Sequence, residues 1–381
     1  MADVTHHDLG SYAAGVVSNP SRSSGRIAVV FGTRPEAVKL APLLDRLDDA
    51  VIIHSGQHFS PALAAEFSAA LGMRAPDLQL TVGGATRTSQ VRDLATTLAR
   101  RFVAEPPRVV VVHGDTNSTL GGALAARIAG LGIVHVEAGL RSDDRAMPEE
   151  HNRRIVDHLA SLACAPTTIA RDHLLAEGIP DDRIVVTGNT VVDALQRLRP
   201  DPATTARVLG RYGVTADAYV LATFHRPENV DDPPRFTALL DVLDHLGLPV
   251  LLPLHPRTAR LDAVAPRGAV RVLEPLPHEE FLALFGACAI CVSDSGGVQE
   301  EASVLRRPVV VARRSTERPE VIDTFAHLAP DPEAIGAIAR RLLGDVAGEH
   351  ARIAGLDSPY GVGDAAARIA DAIDARFPRT E

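Results

Sequence analysis

Short apolar runs alternate with longer amphipathic stretches along most of the chain. Ile27-Ala28-Val29-Val30-Phe31 is followed by Gly32-Thr33-Arg34-Pro35-Glu36, and then by an apolar face of Val38, Leu40, Ala41, Leu43 and Leu44. The run predicts a strand buried on both faces. Pro35 suits the first helical turn, where its missing N–H has no partner to lose. Further runs stand at 51–54, 109–112, 133–136, 219–223, 250–254, 270–273, 289–292 and 308–312. Helices are predicted at 191–197, 298–305, 332–343 and 364–376, among others. Strand and helix in repetition predict parallel sheets with helices on both faces. A polar, Pro-containing segment at 199–205 divides the pattern into two halves and reads as a linker.

Most of the unusual polar clusters follow directly on these runs, at predicted carboxyl ends of strands. Open α/β sheets bind their ligands outside those ends. The most informative stretch is 289–303. Its apolar run breaks at Ser293-Asp294-Ser295-Gly296-Gly297, and a helix-like segment starts at Val298. A strand, a Gly turn and a helix start gather backbone N–H groups around a point that attracts anions. Gly296 and Gly297 allow a phosphate to approach the backbone, and Ser295 adds a hydroxyl donor. Glu300 and Glu301, a turn further on, would repel a phosphate but can accept the hydroxyls of a ribose. The combination reads as a nucleoside diphosphate site. An ordinary strand-to-helix corner carries the same short pattern. Arg34 and Lys39 can likewise be surface charges, Asp115 a helix cap, and Pro148-Glu149-Glu150 a helix start. The shared placement of the clusters in both halves favours a common cleft.

Bulk properties narrow the partners. At 381 residues the chain accommodates two domains, and 46% hydrophobic with 23% charged residues is the make-up of a globular protein with a real core. A formal charge of -9 without a basic tract speaks against nucleic acid or an anionic membrane. No apolar run approaches the ~20 residues of a membrane span. Residues 1–25 read as a tail without a targeting pattern, and its His6 and His7 take no role. Cys164, Cys288 and Cys291 make no disulfide framework, which fits a reducing cytoplasm. Cys288 and Cys291 have C-x-x-C spacing but lie in an apolar run, where cysteine acts as a small hydrophobe.

Eight ordered motifs carry a more specific signal. They are FGTRPEAVKLAPLL at 31–44, HGDTNST at 113–119, HVEAGLRS at 135–142, MPEEHNRR at 147–154, TGNTVVDAL at 187–195, HRPEN at 225–229, DSGGVQEEA at 294–302 and STERPE at 315–320. In this order they resemble the non-hydrolysing UDP-N-acetylglucosamine 2-epimerases. The resemblance implies a GT-B architecture, with two Rossmann-like doubly wound domains facing an interdomain cleft. The boundaries would be 26–198 for the catalytic domain and 206–362 for the UDP-binding domain. The closing helix, 363–381, would cross back to the first domain. A homodimer, a UDP-sugar substrate and no cofactor or metal are implied as well.

The implied activity is reversible C2 epimerisation of UDP-N-acetylglucosamine by loss and return of UDP. Asp115, Glu137, Glu149 and His225 would be its proton-transfer groups. Arg34, Lys39 and Arg153 would meet the substrate as cations. Ser295, Gly296 and Gly297 would hold phosphates, Glu301 the ribose and Phe281 the uracil, although Phe281 also reads as a core aromatic. Gln57, His58 and His255 match positions where some bacterial members bind a second, activating nucleotide sugar. Phe59-Ser60-Pro61 and Pro227 depart from the family pattern. Pro35-Glu36 and Lys39 favour the non-hydrolysing branch. Other readings of the same clusters are an epimerase for another UDP-2-acetamido sugar, a hydrolysing epimerase, a GT-B glycosyltransferase, or a non-catalytic nucleotide-sugar sensor.

Overall fold

The computed structural model describes residues 25–57, 71–82, 86–254 and 268–379. β1 (Ile27–Phe31), β2 (Ala50–His54), β3 (Leu78–Gln79), β4 (Val109–His113), β5 (Ile133–Val136), β6 (Leu162–Ala165) and β7 (Ile184–Val186) form one parallel sheet. Its order is β3-β2-β1-β4-β5-β6-β7. β8 (Val220–Thr223), β9 (Val250–Pro253), β10 (Val270–Leu273), β11 (Ile290–Ser293), β12 (Val309–Val311) and β13 (Ala326–Leu328) form a second, ordered β10-β9-β8-β11-β12-β13.

The apolar runs are continuous because both faces of each sheet are covered. Side chains alternate between two cores. Ile27, Val29 and Phe31 enter one cluster, whereas Ala28 and Val30 enter another. Leu221 and Cys291 face one side of the second sheet; Val220, Ala222, Ile290 and Val292 face the other. Each fully buried Val, Ile or Leu contributes ~1.5–3 kcal/mol, so the alternation fastens helices to both faces. All three cysteines are free and buried, as small apolar fillers of these cores.

Strand order reverses direction between β1 and β4, and again between β8 and β11. Such switch points open crevices at the carboxyl ends of the strands. Both crevices are lined by the clusters that the sequence singles out.

Two local findings differ from the pattern reading. The segment at 199–205 is not all linker. A helix, Pro202–Tyr212, starts inside it, with Asp201 accepting from the Thr204 N–H at 2.6 Å and Pro202 in the first turn. Its polarity is that of a capped helix start, and Val208 is its buried contact. β3, β6, β7 and β13, with the helices Arg87–Ala104 and Val346–Ala354, are additional to the predicted elements. The four strands are too short or too small in side chain to stand out as apolar runs.

The chain passes between the domains twice. The helix Ala365–Arg376 packs on helices Arg34–Leu44 and Thr190–Leu198. Its Ile369 and Ile373 complete the cluster that holds Ile27 and Val29. The Asn189 N–H donates to the Tyr360 carbonyl at 2.9 Å, tying the two crossings together. Among the described residues no helix is long and apolar enough to cross a membrane.

Candidate active site

The loop after β1 is fixed by one carboxylate. Glu36 Oε2 accepts from the N–H groups of Gly32 (3.0 Å) and Thr33 (2.8 Å), and Oε1 accepts from Thr116 Oγ1 (2.8 Å). Burial raises the Glu36 pKa against these donors. A β-carbon on Gly32 would stand 2.0 Å from Ser55 Oγ, so only glycine lets the loops close together. Arg34 and Lys39 are thereby aimed over the first crevice. Burial lowers the Arg34 pKa, with Glu301 of the second domain opposing.

Glu137, just beyond β5, has a φ of 68°, in the left-handed region that a β-carbon resists. Lys39 Nζ bonds its Oε2, and Asn189 Nδ2 donates to the same oxygen at 3.2 Å. Arg318 Nη2 reaches Oε1 at 3.3 Å. Lys39 also meets Glu300 Oε2 at 2.6 Å, and Arg318 Nε donates to Glu300 Oε1 at 2.8 Å. Lys39 and Glu137 belong to the first domain, Glu300 and Arg318 to the second. Burial alone would lower the Lys39 pKa; Glu137 and Glu300 outweigh it and raise it.

The array continues through Glu317. Arg313 donates to it at 2.7 Å, Arg318 bonds it, and Arg153 lies 3.9 Å away. Burial would raise the Glu317 carboxyl, yet these three cations hold it well below the usual carboxylate range. Arg153 also grips Asp115 Oδ2 with Nε at 2.9 Å and Nη2 at 2.8 Å.

In the second crevice, Asp294 organises the loop that carries His225. Its carboxylate accepts from the His225 and Arg226 N–H groups at 3.1 and 3.0 Å and from Asn229 Nδ2 at 2.9 Å. His225 Nδ1 lies 3.0 Å from Asp294 Oδ1. Ser295 precedes the helix Gly296–Leu305 without its side chain capping it. A β-carbon on Gly296 would lie 2.8 Å from Glu317 Oε1 and 2.9 Å from Arg318 Nη1. At Gly297 the nearest atom is 3.8 Å away. The missing side chain at Gly296 thus makes room for Glu317 and Arg318, whereas the space beside Gly297 is open. Glu301 Oε2 is buried and makes no hydrogen bond among the described residues. Burial, with Glu300 beside it, pushes the Glu301 carboxyl up to about 8, against Lys39 and Arg34.

Lys39 and Glu137 thus share one ion-pair array with Arg153 and Asp115, while His225, Ser295, Gly296, Gly297 and Glu301 lie on the facing crevice. Glu149 stands apart. Its side chain is 45% exposed with Arg87 at 3.7 Å, while neighbouring Glu150 is 1% exposed and bonds Arg153 at 2.6 Å. Phe281 packs against the second domain's core, tilted on Phe285 at a centroid distance of 6.0 Å. Gln57 Oε1 accepts from the Ser118 N–H at 3.0 Å, at the start of the helix Asn117–Ile128. His58 and His255 lie outside the described residues. Sequence reasoning gave no role to His113, Asn189, Asp294, Glu317 and Arg318. Their only signal was membership of the motifs, because their partners come from distant segments.

Residues 44–374 match the family model described as UDP-N-acetylglucosamine 2-epimerase. The chain belongs to this 2-epimerase family. The UDP-N-acetylglucosamine 2-epimerase of Methanocaldococcus jannaschii is 38% identical over 320 residues, 80% of this chain and 87% of the relative. The UDP-2,3-diacetamido-2,3-dideoxy-D-glucuronate 2-epimerase of Pseudomonas aeruginosa is 33% identical over 360 residues, 91% of this chain and 98% of the relative. The crystal structure of the M. jannaschii UDP-GlcNAc 2-epimerase in complex with UDP-GlcNAc and UDP is 34% identical. It has a TM-score of 0.82 to this fold and covers 92% of this chain and 99% of its own. The two parallel sheets of this 2-epimerase family member accord with the GT-B architecture expected from its motifs. Its carboxylates and cations meet where the domains face each other.

Proposed function

We propose that the chain interconverts UDP-N-acetylglucosamine and UDP-N-acetylmannosamine at C2 without hydrolysis. The observation that carries this reading is the meeting of Lys39 and Glu137 with Glu300 and Arg318 across the domain boundary. Carboxylates and cations that meet in this way supply the kinds of group that proton transfer and diphosphate binding need, which supports the reading.

The chemistry explains the need for several acids. No carbonyl activates the C2 hydrogen of the sugar, so direct exchange is closed. UDP leaves C1 while a base removes the C2 proton, giving a 2-acetamidoglucal. UDP then adds back as a proton reaches the other face of C2. The anomeric linkage is the same in both epimers, so UDP uses one face throughout. Loss is anti from one epimer and syn from the other, and one rigid base cannot serve both. Asp115, Glu137 and His225 are the proposed groups within the cleft, and Glu149 at its edge can trade protons with solvent. Arg34, Lys39 and Arg153 stabilise the departing diphosphate. Ser295, Gly296 and Gly297 hold the phosphates, Glu301 accepts from the ribose diol, and Phe281 borders the uracil. In this reading the working form is a cytoplasmic homodimer, and light scattering checks the assembly.

A second reading is supported by the Pseudomonas aeruginosa relative, whose name specifies a diacetamido uronate sugar. The test covers both. The protein is incubated in D2O with UDP-N-acetylglucosamine, or with UDP-2,3-diacetamido-2,3-dideoxy-D-glucuronate, and followed by NMR. A C2-deuterated epimer still linked to UDP is the expected product. Free sugar plus UDP would indicate hydrolysis, and no exchange with either substrate would overturn the proposal.

A further inference from the structure

His113 closes β4 beside the array and is 2% exposed. Neither ring nitrogen makes a hydrogen bond among the described residues. Buried polar groups are rarely left so, and an apolar side chain would fill the site without that cost. The ring faces Lys39, Glu137, Glu300, Arg318 and His135. Burial, with Lys39 beside it, holds the ring well below the usual imidazole range, so it is neutral at pH 7. Its Nε2 lies 3.6 Å from Glu137 Oε2, just beyond bonding distance. That oxygen is the one Lys39 bonds. Three groups therefore converge on one acceptor; Lys39 and the Asn189 amide are engaged, and His113 is not.

We infer that His113 is a positioning residue for Glu137: as Lys39 is drawn onto the substrate's diphosphate, the neutral His113 N–H takes its place on Oε2. The inference rests on the epimerase reading and deepens it. Exchange of a cationic partner for a neutral donor leaves the carboxylate's charge free to take the C2 proton when UDP is bound and about to leave. The ring also keeps Glu137 in its strained backbone position during the exchange. His113 itself neither gains nor loses a proton.

The test uses the full chain with UDP-N-acetylglucosamine, comparing wild type with His113→Leu and His113→Asn. His113→Leu is expected to lower kcat by about 100-fold, the low end for impaired proton transfer. Its Kd for UDP should stay within about twofold of wild type, since the ring touches no phosphate site. His113→Asn, which keeps an N–H donor, should recover about tenfold of that loss. A wild-type kcat in His113→Leu, an Asn variant no better than Leu, or UDP affinity falling in step with kcat would each overturn the inference. The outcome stays distinct from the epimerase reading itself, which stands or falls on C2 exchange by the wild-type protein.

Discussion

Lys39 Nζ and Glu300 Oε2 stand 2.6 Å apart, and this ion pair crosses from one domain to the other. Both side chains are buried. Lys39→Met would leave Glu300 and Glu137 with the Asn189 amide and, among the described residues, Arg318 as the one cation bonded to them, with negative charge uncompensated in a dry site. The expected loss is ~3–5 kcal/mol, read as a fall in the denaturant midpoint. Adding Glu300→Gln should restore part of it. Full additivity in the double variant would show that the pair does not couple.

Glu137→Gln keeps shape and removes the charge proposed to accept the C2 proton. Deuterium incorporation at C2 should fall by ~10²–10⁴-fold, while calorimetry should find UDP binding largely intact. If UDP binding were lost as well, Glu137 would be an organiser of the array and not a proton-transfer group.

The two turn glycines should separate stability from binding. Gly296→Ala drives a methyl into Glu317 and Arg318, which are pinned in buried ion pairs. It is expected to cost ~1–3 kcal/mol. Gly297→Ala meets nothing nearer than 3.8 Å and should change stability by less than about 0.5 kcal/mol. It should nonetheless weaken UDP binding about tenfold, by loss of roughly one charge-assisted hydrogen bond. Thermal melts and UDP titrations of both variants check this.

Glu301 carries a pH signature. Its carboxyl titrates at about 8 in the fold against an ordinary 4.5. Between these values the native state binds more protons than the unfolded chain, so stability falls as pH rises. Its contribution is fully present below 4.5 and is lost as pH climbs through about 8. The slope is at most ~1.4 kcal/mol per pH unit. Denaturant midpoints of Glu301→Gln should vary less than wild type between pH 5 and 8. An unchanged slope would remove the assignment.

Much of this architecture was legible in the chain. Ile27–Phe31 and Ile290–Ser293 announce themselves as strands because burial on both faces leaves no room for polar residues. The polar clusters behind them mark the crevices for the same topological reason. What the chain did not disclose is pairing at a distance. Nothing adjacent to Glu137 says that Arg318, 181 positions away, reaches its other oxygen. Gly296 reads in the sequence only as a turn residue open to a phosphate, and nothing in the motif says that its missing side chain also makes room for Glu317 and Arg318. Glu149 and Glu150 are equal in the motif, and only helix phase decides that the second is buried. His113 looks like the last residue of a strand until its neighbours are assembled around it.

The helix Ala365–Arg376 has a consequence for how the molecule is made. Its Ile369 and Ile373 sit in the first domain's core, beside residues translated more than three hundred codons earlier. The first sheet therefore leaves the ribosome with a seam that its own described residues leave open until this helix arrives. While the second domain is being synthesised, that apolar seam faces the cell's chaperones. The N-terminal half is finished last.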